Sequence, residues 1–375
     1  MKIAFVVLLV IHGSIHLIGF AKARNPEGVE AIMKPVGRIA GWLWLAAAVL
    51  WVVAAATLAV APKFFALAAA PSWILSQSLI LSSWKDARFG TIVNLLVVVP
   101  AVTSVQDLRG ASFQVHYCRD AEAIVRGRAK PRVVGTNELV GLPVPLRNYL
   151  VRVGVVGRPR VSNFRAHFTA EFRRNPNAAW MDAEAEQVES FPEVSRLFLI
   201  RSSVWGVPFD GYHRFVGDSA TMQVRVLSLF DVVNASGKTM TAGETVTLLN
   251  DMCLLAPASL LDANIRWRQT DETSVHATWT HQGNTVTAEL VFDASGDLVN
   301  FVSNDRYLSE DGKTYTKYPW ATPIRGYRDA GGRRVPAHAD VVWRLPSGNF
   351  TYGRFDVQSI EYNVAAAGEH CSSNG

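Results

Sequence analysis

The sequence predicts an all-α transmembrane region of four helices followed by a mainly antiparallel β (α+β) domain, a curved sheet or half-barrel with a helix across it. Three observations carry this. Apolar runs of bilayer-spanning length occupy residues 3–106. After residue 160 the hydrophobic period changes to two, the mark of half-buried strands. Near Thr241 one stretch returns to helical spacing among those strands. The implied domains are a membrane region 1–108, a juxtamembrane helix and basic linker 109–135, a β-rich soluble domain 136–364 and a disordered tail 365–375.

A helix needs about 20 apolar residues to cross the hydrocarbon core. Ile3–Ala21, Ile39–Ala61, Phe64–Trp84 and Phe89–Gln106 are the candidates, and nearly all charge between Ile3 and Gln106 falls in the loops between them. Pro62-Lys63 makes a tight turn, so the second and third spans form an antiparallel hairpin. Lys2, the first apolar run and Ala21-Lys22-Ala23 also fit a cleaved signal peptide. The length of the run, its two histidines and the three later spans favour an uncleaved helix. Lys22, Arg24, Lys34, Arg38, Lys85 and Arg88 gather on one side, which is the cytoplasmic one by the charge rule. Both termini and the soluble domain then lie outside, in a multi-pass protein of the cell membrane. Arg119, Arg126, Arg128, Lys130 and Arg132 argue the other way from farther along the chain.

Inside the spans, His12 and His16 are four residues apart and share one helix face. Polar groups at this depth turn toward protein or a water cavity. Gln77 and Asn94 are the partners with which they would bond between helices. A proton or ligand site and a metal or haem pair are the alternatives, though no third ligand is evident.

Ser112–Gly127 continues as an amphipathic helix. The basic run around Gly127 and Pro131 suits either anionic headgroups or a solvated linker. Pro145–Val153 reads as a short helix ended by Gly154. Strands follow at Asn163–Arg173, Arg196–Val204, Met222–Leu229, Asn264–Gln269, Ser274–His281, Thr285–Phe292, Leu298–Asn304, Lys313–Lys317, Val335–Arg344 and Phe350–Tyr362, separated by turns such as Gln282-Gly283-Asn284, Asp311-Gly312 and Gly331-Gly332. Thr241-Ala242-Gly243-Glu244 has capping-box form and opens an apolar helix that Pro257 stops or restarts. A helix over a curved sheet encloses a cavity suited to an apolar ligand.

The stretches IHGSIHLIGFAKA, DARFGTIVNLL, GVVGRPRVSNF, AEQVESF, NDMCLLAPASLLD, VFDASGDLVNFVSNDR and PWATPIRGYRDAGGRRVPA resemble an uncharacterised bacterial family of four-span membrane proteins with a C-terminal β-rich domain. The strand–turn–strand VFDASGDLVNF, followed by GYRDAGGRRVPAHADVVW and a closing strand, looks like the periplasmic lipoprotein-carrier (LolA-like) fold. That resemblance implies a curved sheet around a helix that holds acyl chains, and no catalytic residues.

No GxSxG, HExxH, Walker or GxGxxG pattern occurs, so no catalytic residue, metal ligand or cofactor is assigned. The three cysteines are far apart and odd in number, reading as buried or idle thiols. A net charge of +5 without a dense basic stripe excludes nucleic acid as a partner class. Candidate ligand contacts are Asn250 and Asp251 in the apolar helix, Asp305 and Arg306 at a strand end, and Trp320, one of six tryptophans of the soluble domain with Trp180, Trp205, Trp267, Trp279 and Trp343. Asp210 and His213 could form an acid–base pair or a structural hydrogen bond. The expected function is a non-catalytic, membrane-anchored binding protein for an apolar or lipid-like ligand, with membrane lipids as partners. The alternatives are a membrane enzyme or metal/haem protein using His12 and His16, and a membrane sensor or scaffold for another protein.

Overall fold

The computed structural model describes residues 2–126, 131–204, 207–309, 313–368 and 371. Gly127, Arg128, Lys130, Trp205, the Asp311-Gly312 turn and tail positions 369–370 and 372–375 lie outside the described residues. The chain divides into two compact units, one of residues 1–112 with 227–229 and one from Phe113 onward.

The first unit consists of α1 (Lys2–Arg24), α2 (Arg38–Val60), α3 (Phe65–Ser82), α4 (Trp84–Ala87) and α5 (Gly90–Leu108). Four helical stretches are long and apolar enough to cross a membrane. Ile11, Ile15, Val52, Leu67, Ile74 and Leu95 point outward and are exposed, whereas Leu9, Trp51, Phe65 and Val97 pack inside. An outward apolar surface is what lipid solvation needs and what water disfavours. Small residues let α1 approach α2: a Cβ on Gly13 would stand 2.9 Å from that of Trp51. The α2–α3 connection is a short 3-10 turn, Pro62–Phe64.

The second unit opens with α6 (Phe113–Val125) and α7 (Val144–Arg152). Phe113, Tyr117, Ile124 and Val125 of α6 pack on Val188, Leu197, Leu199 and Tyr212. The apolar side of this amphipathic helix therefore covers a sheet face.

Strands β1 (Asn163–Phe172), β2 (Met181–Ser190), β3 (Ser195–Val204), β4 (Val207–Val216), β5 (Ser219–Val226) and β6 (Phe230–Ala235) form a first antiparallel meander. The chain then runs through α8 (Lys238–Leu254) and a 3-10 turn at Pro257–Leu261. The rest is β7 (Ile265–Gln269), β8 (Ser274–His281), β9 (Asn284–Phe292), β10 (Leu298–Ser303), β11 (Tyr307–Leu308), β12 (Thr316–Lys317), β13 (Trp320–Ala330), β14 (Arg333–Leu345) and β15 (Gly348–Tyr362). The last strand, β15, pairs with the first, β1, merging both meanders into one open sheet of 13 strands ordered β6-β5-β4-β3-β2-β1-β15-β14-β13-β10-β9-β8-β7. β11 and β12 make a separate ribbon. Register shifts at His167/Phe168 and Val341/Val342 mark bulges, which bend strands and curve a sheet.

This topology places the helix. β6 and β7 are opposite edges of the sheet, and α8 is the connection between them, so it crosses the inner face. Val246, Leu248, Leu249, Met252 and Cys253 are buried in that crossing. At roughly 1.5–3 kcal/mol per large apolar side chain, burial holds α8 down without help from a cap.

Several expectations change. The helix starts at Lys238, so Thr241 is no N-cap: its Oγ1 donates to Gly237 O at 3.1 Å and accepts from Ala220 N at 3.1 Å. Glu244 is thereby free for ion pairs inside the domain. The strand expected at Met222–Leu229 ends at Val226, because Leu227 and Ser228 take positive φ in a turn. β2, β6, β11 and β13 were not foreseen as strands. Cys118 and Cys371 are not idle thiols but a disulfide, and Cys253 alone is a free, buried thiol among the described residues. Within the tail expected to be disordered, Ala367 is buried beside α6 and Cys371 is covalently tied to it.

Candidate functional site

A cavity of about 160 Å³ lies between α8 and the inner face of the sheet. Its floor is apolar. Phe168 and Phe172 come from β1, Pro336, Ala339 and Val341 from β14, and Phe355 and Val357 from β15. The Phe355 ring is the hub, with centroids 6.0 Å from Phe168, 5.2 Å from Phe172 and 6.0 Å from Phe198.

Opposite that floor runs a polar stripe. Glu244, Thr247, Asp251 and Leu254 follow one another at three and four residues, so one α8 face presents them all to the cavity. Strand alternation supplies the facing groups. Gln187 and Glu189 share the inner face of β2, and Glu189 sits directly across from Arg196 of β3. Arg196 Nε donates to Asp251 Oδ2 at 2.7 Å and lies 3.4 Å from Glu189 Oε1, while its Nη1 reaches Glu244 Oε2 at 3.4 Å. Gln187 Nε2 donates to Glu189 Oε1 at 2.7 Å and Asp251 Oδ2 at 2.8 Å. Arg306 donates to Glu244 Oε1 at 3.3 Å and to Thr247 Oγ1, with its guanidinium 4.7 Å over the Trp320 ring. Asn250 Nδ2 donates to Thr322 Oγ1 at 2.7 Å, and Trp320 Nε1 to Tyr352 Oη at 3.0 Å.

Glu189 and Glu244 are shifted in opposite directions. Burial and the neighbouring Asp251 push the Glu189 acid well above the usual carboxylate range, against the pull of Arg196. This favours its protonated form, which can donate to Asp251. Burial also opposes ionisation of Glu244, but Arg306, His213 and Arg196 outweigh it and hold that carboxyl well below the usual range. Three carboxyl groups, one of them favoured in its neutral form, face two guanidinia, so the stripe is close to balanced in charge while rich in hydrogen-bonding atoms. Such a stripe can hydrogen-bond a polar group, and the aromatic floor can pack against an apolar one.

Asn250, Asp251, Arg306 and Trp320 all line this cavity. Asp305 is not among its lining residues: it accepts from Thr287 N at 2.8 Å and pairs with Lys317 at 2.7 Å, fastening a strand end. Asp210 and His213 are three apart on β4 and face opposite sides, so they cannot pair. His213 instead lies 3.9 Å from Glu244. Gln187, Glu189, Arg196 and Glu244 were missed, and the period-two spacing of Gln187 and Glu189 with Ala183 and Ala185 was the available signal.

In the helical unit, His12 Nε2 lies 3.1 Å from Asn94 Oδ1, and His16 uses Nδ1 on His12 O at 2.9 Å and Nε2 on Ser76 Oγ at 2.9 Å. Gln77 reaches the imidazoles only through Asn94, whose Nδ2 it accepts at 2.8 Å. These bonds tie α1 to α3 and α5. Among the described residues no group of three or more His, Cys, Asp or Glu converges as a metal site.

A family model described as "Family of unknown function (DUF6544)" matches residues 132–355. No curated protein matches the chain. Among solved structures, the chain is similar to a LolA superfamily protein from Nitrosomonas europaea, at 9% identity over 58% of this chain and 91% of that one, with a TM-score of 0.33. It is similar to a putative outer membrane lipoprotein-sorting protein domain from Vibrio parahaemolyticus at 9% identity, 54% and 85% coverage and a TM-score of 0.31. A DUF1329 family protein from Desulfovibrio piger is matched at 10% identity, 59% and 92% coverage and a TM-score of 0.34. Likenesses this distant add nothing to the chemistry of the cavity, which rests on its own residues.

Proposed function

Because the chain belongs to DUF6544, a family of unknown function, its role has to be read from its own residues, and we propose that it is a membrane-anchored binding protein whose β domain holds an apolar, lipid-like ligand without transforming it. The observation that carries this is the cavity under α8, with an aromatic and aliphatic floor facing a near-neutral polar stripe. Asn250, Asp251, Arg306 and Trp320 contact the ligand, the first three at its polar end; Asp305 shapes the nearby turn. The helices of residues 1–108 anchor the domain in the cell membrane, where tethering raises the effective concentration of membrane ligands. His12, His16, Gln77 and Asn94 serve to bind those helices to one another. The soluble domain spans 136–364, with α6 of the connector 109–135 packed onto it, and it faces an extracytoplasmic compartment. Supporting that side is the Cys118–Cys371 disulfide, since such bonds persist where the surroundings are oxidising.

The test is to purify the domain from Phe113 onward without detergent, extract it with organic solvent and analyse the extract by mass spectrometry. Near one lipid per domain is expected, lost in Ala339→Trp, whose indole fills the floor. A stable fragment with no bound lipid would contradict the reading.

A further inference from the structure

The β domain carries a second, basic site away from this cavity. Ala330-Gly331-Gly332-Arg333 turns β13 into β14, with Gly331 and Gly332 at φ 65° and 80°, as a two-residue hairpin turn requires. The segment after α7 lies against this turn. Arg158 Nη1 donates to Gly331 O at 3.4 Å, and the Arg333 guanidinium donates to Pro159 O. Both arginines border one open bowl of about 540 Å³, together with Tyr362 and Asn363. Arg333 is only 8% exposed, with its guanidinium 5.1 Å from the Tyr362 ring centroid.

The pair lacks a counter-charge where several arginines nearby have one: Arg152 and Arg334 share Asp297 at 2.6 and 2.9 Å, and Arg160 meets Glu138 and Asp262. Among the described residues, no carboxylate pairs with Arg158 or Arg333. Glu361 also borders the bowl, but it is held by Arg165 at 2.8 Å. Burial, and then the charge of Arg158, draw the Arg333 guanidinium below its usual range, against the pull of Tyr362. A half-buried pair of like charges is a standing electrostatic cost, which an anion placed between them removes. Guanidinium forks match tetrahedral oxyanions, and phosphate above all.

We propose that the bowl between the β13–β14 turn and residues 158–159 binds a phosphate-type oxyanion, either inorganic phosphate or the phosphate of a lipid headgroup, held by Arg158 and Arg333. This does not depend on what fills the cavity under α8.

The test uses the full chain in dodecyl maltoside, a detergent without phosphate. Phenylglyoxal labelling of Arg158 and amide exchange at Gly331 and Gly332 are followed while inorganic phosphate or short-chain phosphatidic acid is added. Protection by either ligand at up to millimolar concentration is expected. Protection by both at similar concentrations assigns the site to free phosphate, and protection by phosphatidic acid at least tenfold lower assigns it to headgroups. Arg158→Gln, a partly exposed position whose replacement leaves the fold intact, is expected to weaken the effect on Gly331 and Gly332 at least about tenfold. No protection by either ligand, or Arg158→Gln behaving as wild type, would overturn the proposal.

Discussion

Replacing Arg196 with Met tests whether the polar stripe is an ionic network or a set of incidental contacts. Arg196 is 6% exposed and bridges Asp251 at 2.7 Å with Glu244 and Glu189 each at 3.4 Å. Its loss does not strand all three carboxyls. Glu189 is held toward its neutral form by burial and Asp251, and Glu244 keeps Arg306 at 3.3 Å. Asp251 keeps Gln187 at 2.8 Å and the Glu189 acid as neutral partners but loses its cation, leaving one buried carboxylate without a counter-charge. Removing one partner of a buried pair costs about 3–5 kcal/mol. For a domain of this size each kcal/mol lowers the midpoint by roughly 2–4 °C, so the drop expected is roughly 6–20 °C. Thermal unfolding followed by tryptophan fluorescence measures it. Arg196→Met with Asp251→Asn removes the stranded charge and should recover most of the loss. A single variant within about 1 °C of wild type, or a double variant no better than the single, would refute the reasoning.

Other consequences are open to measurement. Glu244, held below the usual range, contributes stability that is present above its unfolded value of about 4.3 and is lost as pH falls further. Glu189, held above that range, contributes in the opposite sense, and its share is lost as pH rises through its raised folded value. Melting midpoints should fall as pH drops below about 4.3 and, through Glu189, as it rises above that value, and Glu189→Gln should flatten the rising-pH side alone; an unchanged rising-pH limb would contradict this. The Cys118–Cys371 bond closes a separation of 253 residues, and Cys118→Ser should cost about 2–5 kcal/mol, read as a lower denaturant midpoint that reductant no longer shifts. In intact cells, a membrane-impermeant thiol reagent should label Ser236→Cys and leave Asn25→Cys unlabelled; the reverse pattern would place the β domain in the cytoplasm.

The helices and most strands of this fold were legible because their signals are local. Uncharged apolar runs marked the spans, and alternation such as Phe164, Ala166 and Phe168 marked β1. β2 escaped because Glu184, Glu186 and Glu189 make Met181–Ser190 look like a charged loop. Only the closing pairing of β1 with β15 and the cover from α6 show that this strand is central and wrapped on both faces. The cavity was anticipated from the apolar helix, and Asn250 and Asp251 stood out as polar residues within it. Their counterparts could not be read in advance. Arg196 meets Asp251 across 55 residues of chain, and Arg306 meets Glu244 across 62. The Glu244 role was masked further by a local pattern, the capping box, that the surrounding fold overrode. Cys118 and Cys371 carry no spacing signal at all, since their proximity is created by the docking of α6 and the tail.

The most direct measurement labels the full chain in native membranes with a photoactivatable fatty acid and maps the adducts by peptide mass spectrometry. Adducts are expected on the cavity floor and roof, at Leu254, Val341 and Phe355, and should vanish in Ala339→Trp. Adducts confined to residues 2–108, with none in the β domain, would contradict a lipid-holding cavity.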